Sequence, residues 1–221
     1  MINMEKIPTP EFLLERVRSG GVSWDEGKFM LLGMKAWINA AFSQVFLQRL
    51  LEEKIDLSTV QDLLYAHGQF QAREGVRIFN KRFGYPQTFS EISSLLDLHL
   101  GQFQLTGTGK YEWVLKDIAN REFIIKGNSP LAEEYAVFFA SAKRPVDHFV
   151  RGLIAGFISE TLGVEVYCFE SGCIAHGKTH CTFVIKEKHK FDTASEEWKQ
   201  QEIKKEIDLR KDLSPRRDPL L

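Results

Sequence analysis

Cysteine is scarce in this sequence, and so are the long apolar runs that a membrane protein needs. The chain of 221 residues has three cysteines, an odd number that argues against a disulfide framework and for a reducing compartment. No apolar run approaches the roughly 20 residues of a membrane-spanning helix. The first residues also lack the basic-then-apolar layout of a signal peptide. We therefore expect a cytoplasmic protein without a membrane span.

Net charge and catalytic motifs are missing as well. The formal net charge of −1 provides no field of one sign, which argues against direct binding of nucleic acid. No phosphate-binding loop, Gly-x-Ser-x-Gly elbow or His-Glu-x-x-His helix is present, and Gly107-Thr108-Gly109 is too short for a dinucleotide fingerprint. We identify no catalytic residue, and the sequence favours a binding protein over an enzyme. Because no DNA-binding or ATPase module accompanies it, regulation would need a partner protein.

Apolar residues at three- and four-residue spacing predict several helices. The predicted helices lie within 24–55, at 59–83 with Ser58 as N-cap, at 89–100, from Pro130 onward with Ser129 as N-cap, and from Asp147 to Leu162. In the last of these, a stripe of glycine and alanine indicates close approach of a sheet or a second helix. Gly163 is a natural stop signal.

Alternating apolar residues between turn signals predict strands at 103–106, 111–117, 122–126, 164–170 and 181–186. We therefore predict the α+β class, with an antiparallel sheet of about five strands packed against helices. One face of this sheet would carry Tyr111, Trp113, Leu115, Phe123 and Ile125. These residues could fill the core, or they could line a pocket for an apolar or aromatic ligand.

The loop between the last two predicted strands has the residue types of a metal site. Glu170, Cys173 and Cys181 could converge on one tetrahedral ion, since zinc accepts sulfur, nitrogen and oxygen ligands. The same loop offers His176 and His180. The spacing matches no general zinc-finger pattern, and buried cysteines are also common as small core residues. The residues alone leave both interpretations open.

A set of spaced motifs resembles the 4-vinyl-reductase domain family. The motifs are Gly-Leu-Ile-Ala-Gly-Phe at 152–157, Leu162-Gly163, Glu170-x-x-Cys173-x3-Gly177-x3-Cys181 and the apolar strand after it. This family is similar to the sensory domains of bacterial activators that respond to aromatic compounds. Its fold is related to the Bet subunits of the TRAPP tethering complex. The resemblance implies a small α+β domain with a structural zinc ion beside an apolar pocket.

The resemblance also implies a set of zinc ligands. In the aromatic-sensing relatives, zinc is held by a cysteine before the glycine-rich helix, a glutamate and two cysteines. Glu170, Cys173 and Cys181 match three of these positions, whereas Asp147 replaces the first cysteine. We take Asp147 as the fourth ligand, with His148 and Cys168 as alternatives.

The expected organisation is an arm at 1–23 with a short helical pattern at its Phe12-Leu13-Leu14 stretch, a ligand-binding domain at 24–187 and a charged extension at 188–221. Within the extension, residues 196–209 have a thin apolar stripe and are predicted as a solvated or partner-packed helix. The resemblance implies a zinc-containing, sensor-like protein that binds a small hydrophobic or aromatic ligand and acts through a homodimer or a regulatory partner. The alternative is an accessory protein or reductase of tetrapyrrole metabolism. The rest of the cofactor chemistry is unknown, because no nicotinamide or flavin site is recognisable.

Overall fold

Helices and strands occur in separate blocks along the chain. The computed structural model describes residues 15, 19, 22–25, 28–31, 34–36, 40–140, 142 and 144–207. The described elements are β1 (Val22–Asp25), β2 (Lys28–Leu31), β3 (Met34–Ala36), α1 (Ala41–Lys54), α2 (Leu57–Phe83), α3 (Phe89–Leu105), β4 (Lys110–Asp117), β5 (Glu122–Asn128), α4 (Pro130–Phe139), α5 (His148–Leu162), β6 (Tyr167–Gly172), β7 (Cys181–Lys186) and α6 (Glu196–Lys199). None of the described helices is long and apolar enough to span a bilayer.

The larger sheet is antiparallel and has four strands in the order β4-β5-β7-β6. The α+β class is confirmed, but the expected fifth strand at 103–106 is wrong. Helix α3 continues through Leu105, because Leu96, Leu100 and Phe103 extend its buried face at helical spacing. Strand β6 is an edge strand, and β7 lies between β5 and β6.

The predicted helix within 24–55 is wrong in its first part. Strands β1, β2 and β3 form a separate antiparallel sheet, and α1 begins only at Ala41. Glu26-Gly27 and Leu32-Gly33 separate these strands in the sequence, and X-Gly pairs between short apolar segments are hairpin signals. The helical interpretation overlooked both pairs.

The helix caps agree with the sequence in two of three cases. Ser129 caps α4 with Pro130 as its first residue, and Gly163 ends α5 in the left-handed conformation at a φ of 67°. The cap of α2 is Asp56 and not Ser58, because the Asp56 carboxylate accepts the Thr59 N–H at 3.0 Å. A carboxylate two residues earlier outcompetes the predicted serine hydroxyl, which itself donates to Asp56.

Helices α2 and α5 cross at very short range. A Cβ atom on Gly68 would lie 2.2 Å from the Phe149 carbonyl oxygen, and one on Gly152 would lie 2.1 Å from the Tyr65 carbonyl oxygen. The small-residue stripe therefore marks a helix–helix contact in which backbone meets backbone. This contact fixes the position of α5 between α2 and the sheet.

The segment after β7 is charged, but part of it is packed on the domain. Trp198 and Ile203 are buried and belong to the hydrophobic core. The predicted helix 196–209 is much shorter in the structure, since α6 has only four residues. Residues 208–209 and the N-terminal helical pattern at Phe12-Leu13-Leu14 lie outside the described residues.

The α2–α5 contact leads to a stability prediction. We expect Gly68→Ala to destabilise the protein by about 3 kcal/mol, because the added methyl group collides with backbone that cannot move aside cheaply. Gly75→Ala in the same helix is the control, since no atom of the described residues lies within 4 Å of its Cβ position. It should stabilise the protein by roughly 0.5–1 kcal/mol through the entropy of the unfolded chain. Urea unfolding measures both changes, and equal effects would contradict the proposed contact.

Candidate functional site

Four acidic side chains meet at one place beside the edge of the larger sheet. Asp147, Glu170, Cys173 and Cys181 each offer one ligand atom, and these atoms all lie within 4.8 Å of one another. All four residues are buried, with at most 1% of their surface exposed. We call this group the acidic cluster.

Three separate elements place the acidic cluster. Glu170 lies on β6, and Cys181 is the first residue of β7. Cys173 follows β6 directly and leads into a short 3₁₀ turn that closes at Gly177 with a φ of 80°. The backbone N–H of Ile174 donates to the Cys181 sulfur at 3.5 Å. The connection between the two strands is therefore folded around the Cys181 sulfur.

Asp147 precedes α5 at the N-cap position, but its side chain makes no capping hydrogen bond to that described helix. Instead, its Oδ1 accepts the Ser129 hydroxyl at 2.8 Å, and its backbone N–H donates to Glu170 Oε2 at 3.2 Å. The other oxygen of each carboxyl group, Asp147 Oδ2 and Glu170 Oε1, is buried without a hydrogen-bond partner among the described residues. Such orphaned acceptors are rare in folded proteins because their desolvation is costly.

Burial and mutual repulsion shape the electrostatics of the acidic cluster. Burial, together with the nearby Cys173, raises the pKa of Asp147 to about 7. Burial and the Asp147 charge raise the pKa of Glu170 well above its usual value. The hydrogen bond with Cys181 lowers the pKa of Cys173 to about 6 and raises the pKa of Cys181. Four such groups cannot all ionise in a buried space unless a cation compensates them.

The acidic cluster fits a zinc ion on three grounds. Its two sulfur and two oxygen donors are atoms that zinc accepts, and ligand atoms around a tetrahedral zinc ion lie about 3.3–3.8 Å apart. The observed upper limit of 4.8 Å is compatible with this after small rotamer changes. The two orphaned carboxyl oxygens would gain a partner. With four protein ligands, zinc would supply structural cross-linking and no open coordination position.

The alternative ligands named from the sequence do not join the acidic cluster. Arg151 Nη1 lies 3.2 Å from His148 Nδ1, and because a guanidinium only donates, that nitrogen's lone pair is already in use. Burial raises the pKa of Cys168, which keeps this core cysteine a neutral thiol. His176 is exposed, and His180 contacts the neighbouring Thr179 hydroxyl. Asp147 is therefore the candidate for the fourth position that geometry favours.

A second group of interest is aromatic and lies between α3, α5 and β4. The Phe157 ring is 5.7 Å from Phe103, 6.5 Å from Trp113 and 6.1 Å from His99, measured between ring centroids. Phe79 approaches the other side of His99 at 5.7 Å. We call these five residues the aromatic cluster. It provides apolar ring faces and edges around one buried imidazole.

His99 has an unused hydrogen-bonding atom inside the aromatic cluster. Its Nδ1 lies 3.0 Å from Gln102 Oε1, and because an amide oxygen only accepts, Nδ1 carries the proton. Nε2 is then an acceptor, and it is buried without a partner in the part of the chain that the structure describes. Burial lowers the pKa of His99 to about 4, so the ring is neutral at physiological pH. A ligand hydroxyl is the kind of group that such an atom would bind.

The predicted sheet face is correct for four of its five residues. Phe123 and Ile125 are buried, and Tyr111 and Trp113 pack against the core. Leu115 is 41% exposed, because the pairing of β4 with β5 shifts register between Trp113 and Leu115. This bulge reverses the inside–outside alternation of the strand. The composition of the segment contains no signal for it.

Sequence reasoning missed His99 and Phe157 as site residues. His99 is four residues after Leu95 and four before Phe103, which places a polar side chain inside the apolar stripe of α3. A polar residue in such a stripe is a signal worth following, because its burial must be compensated. Phe157 was recognised only as part of a buried helix face.

Comparison with known proteins follows from this geometry. The model of the 4-vinyl-reductase domain family matches residues 129–187, which confirms the resemblance found in the sequence. The crystal structure of the phenol-responsive sensory domain of the transcription activator PoxR with phenol has a TM-score of 0.72 at 15% identity, over 89% of this chain and 99% of that one. At that identity the likeness shows a shared fold.

Two further solved structures are more distant. A vinyl-4-reductase family protein from Methanocaldococcus jannaschii has a TM-score of 0.45 at 21% identity, over 85% of this chain and 98% of that one. Trafficking protein particle complex subunit 3 from Naegleria fowleri, covalently bound to palmitic acid, has a TM-score of 0.45 at 12% identity, over 67% and 95%. No curated protein matches the chain in sequence.

The low pKa of His99 predicts a pH effect on stability. The folded protein holds His99 neutral down to about pH 4, whereas in the unfolded chain its pKa is about 6.5. The unfolded state therefore binds more protons below pH 6.5, and stability falls as the pH drops. Between pH 6.5 and 5 this loss is about 2 kcal/mol. His99→Leu should show a correspondingly smaller loss in urea unfolding at the two pH values, and equal losses would contradict the assignment.

Proposed function

Residues 129–187 belong to the 4-vinyl-reductase domain family, and on this premise we propose that the protein is a sensor-like module that binds a small hydroxylated aromatic molecule. A structural zinc ion at the acidic cluster holds the fold of the binding domain, which corresponds to residues 24–187. The module acts through a dimer or a partner protein.

The observation that carries the ligand proposal is the unused Nε2 atom of His99. It is buried, has no hydrogen-bond partner among the described residues and is fixed as an acceptor by the bond from Nδ1 to Gln102. The surrounding rings of Phe79, Phe103 and Phe157 favour an aromatic body by edge-to-face contacts. An apolar ring with one hydroxyl group satisfies both features.

Similarity of fold supports the same ligand class. The PoxR sensory domain is described as phenol-responsive, and its structure contains phenol. Phenol is the simplest molecule with one aromatic ring and one hydroxyl group. The support from that protein and the support from His99 are independent, because the second depends only on the residues of this chain.

Zinc at the acidic cluster would connect the end of β6, the start of β7 and the residue before α5. Asp147 and Glu170 would each use the oxygen that lacks a hydrogen-bond partner within the described chain. Cys173 and Cys181 would bind as thiolates. Such a cross-link between segments distant in sequence supports a closed, structural role.

An exposed apolar stripe on α1 and α4 supports the dimer. Phe42, Phe46 and Leu50 follow one another at four-residue spacing and are each about half exposed, at 50%, 47% and 52%. Phe46 is also 5.2 Å from Phe138, which is 48% exposed on α4. Contiguous apolar surface of this kind is typical of protein–protein contact sites, and we assign it to a second copy of the chain.

The zinc and dimer proposals make a joint prediction for native mass spectrometry. The purified wild-type protein should carry about one zinc ion per chain and have the mass of two chains. Cys173→Ala and Cys181→Ala should each lose the metal and unfold at lower temperature, since each removes one zinc ligand. Cys168→Ala, which removes a buried cysteine outside the acidic cluster, should retain zinc. Metal-free wild-type protein that folds normally in chelator would contradict the zinc proposal.

The ligand proposal is tested with two probes that differ by a hydroxyl group. Isothermal titration calorimetry should show tighter binding of phenol than of toluene to the wild-type protein. His99→Leu should weaken phenol binding by about 3- to 10-fold, the worth of one hydrogen bond to a neutral acceptor, and should leave toluene binding almost unchanged.

His67→Leu is the matched control for this experiment. His67 is half-buried on α2 and packs against Phe149 at 5.1 Å, away from the aromatic cluster contacts described above. Its phenol affinity should equal that of the wild type. Equal affinity of the wild type and His99→Leu for phenol would exclude His99 as the hydroxyl acceptor.

A further inference from the structure

Residues 198–205 cross α2, α5 and the free edge of β6, and we call them the C-terminal strap. Two apolar side chains anchor the strap, since Trp198 is 2% and Ile203 is 6% exposed. The rest of its attachment uses hydrogen bonds from side chains of the domain to the backbone of the strap. The strap is therefore held in a defined register and not by apolar contact alone.

Helix α2 provides one set of these hydrogen bonds. The Asp62 carboxylate accepts the N–H groups of Lys204 and Lys205, each at 3.0 Å. The Gln61 side chain donates to the Gln200 carbonyl oxygen at 3.1 Å. Both Gln61 and Asp62 are buried, which means that these bonds are shielded from competing water.

The strap also closes the edge of the sheet at Glu170. The Gln201 side chain accepts the Glu170 N–H through Oε1 and donates to the Glu170 carbonyl through Nε2, both at 2.9 Å. This pair of bonds imitates a neighbouring strand at a position where the described sheet ends at β6. Gln201 thus holds the backbone of the residue whose side chain belongs to the acidic cluster.

Arg151 joins the strap to both sides of the acidic cluster. Its fully buried guanidinium group donates to the Gln201 carbonyl at 2.8 Å, to the Cys168 carbonyl at 3.0 Å and to His148 Nδ1 at 3.2 Å. Cys168 is two residues before Glu170, and His148 directly follows Asp147. No carboxylate among the described residues forms an ion pair with Arg151. Its bonds to neutral groups serve to position these three segments.

We propose that docking of the C-terminal strap and metal binding at the acidic cluster stabilise each other, with Gln201 and Arg151 as the positioning residues. This inference rests on the zinc part of the proposed function. The ion would hold Glu170 through its carboxylate, and the strap holds the same residue through its backbone. Two ligands that fix one residue in the same place are coupled, and the coupling is reciprocal.

The coupling makes the strap a readout of the metal state. When the strap leaves, Trp198 and Ile203 become exposed, and the backbone of β6 at Glu170 loses its hydrogen-bond partner. An uncovered strand edge and two large apolar side chains are features that a partner protein can bind. The regulated quantity is thus the fraction of molecules with the strap docked.

Hydrogen exchange on the full chain tests one direction of the coupling. In the wild-type protein, removal of zinc with a chelator should speed amide exchange of peptides covering 198–205 by at least about tenfold. Peptides from α3 serve as the control for global unfolding. Exchange that does not change at the strap, or that rises only as much as in α3, would overturn the inference.

Zinc affinity tests the reverse direction. Gln201→Ala should weaken zinc binding by about 3- to 10-fold in competition with a chromophoric chelator, since two backbone hydrogen bonds to Glu170 are lost. Gln200→Ala is the matched control, because its side chain is exposed and its backbone carbonyl, which the substitution keeps, makes the contact with Gln61. It should leave zinc affinity and strap exchange unchanged.

The outcomes separate this inference from the proposed function. Wild-type protein that binds no zinc would overturn both. Wild-type protein that binds zinc, together with Gln201→Ala protein of the same affinity, would overturn the coupling alone. Arg151→Lys gives a second variant, which keeps the charge but cannot make all three bonds. It should lower zinc affinity and speed strap exchange in the same sense as Gln201→Ala, and unchanged values would count against Arg151 as a positioning residue.

Discussion

The backbone contact between α2 and α5 is the constraint on which the rest of the structure depends. Gly68, Gly152 and Gly156 remove the side chains that would otherwise separate the two helices. Helix α5 then lies at a fixed depth between α2 and the sheet. Asp147 precedes this helix, Arg151 lies in its first turns and Phe157 in its second half. Both candidate sites and the attachment of the strap therefore use positions that one helix crossing determines.

A second constraint is the concentration of unlike buried charges around the start of α5. The acidic cluster collects two carboxyl groups and two thiols in one buried space. A fully buried guanidinium lies on the other side of His148. Buried charges are expensive unless they are paired and hydrogen-bonded, so this region is stable only as a set. The proposed metal ion would complete that set.

The two candidate sites divide the domain into a rigid end and a receptive interior. At the acidic cluster, residues from three elements are tied to each other and to the C-terminal strap. In the aromatic cluster, by contrast, rings meet at their edges and one imidazole nitrogen has no partner among the described residues. A closed cross-link beside an unsatisfied interior is a sound arrangement for a binding module, because ligand contacts can change while the sheet edge stays in place.

The sequence could predict those features that depend on local chemistry. Periodicity located α2, α4 and α5, turn signals located β4, β5 and β7, and the match to the family identified Glu170, Cys173 and Cys181. It could not predict the bulge at Leu115, because the shift depends on how β4 pairs with β5. It also extended a strand into 103–106, where tertiary burial of Phe103 continues α3. The hairpin signals at Gly27 and Gly33 were present but were overlooked.

By itself, the sequence determined the class of the fold, the helix caps at Ser129 and Gly163, and the residue types available to a metal. Those features follow from backbone preferences and from donor chemistry, which act over a few residues. Only the tertiary structure decided that Asp147 joins the acidic cluster while His148 and Cys168 do not, that His99 has an unused acceptor and that Gln201 holds Glu170. These depend on the direction of side chains from segments far apart in the chain, and that direction is set by packing.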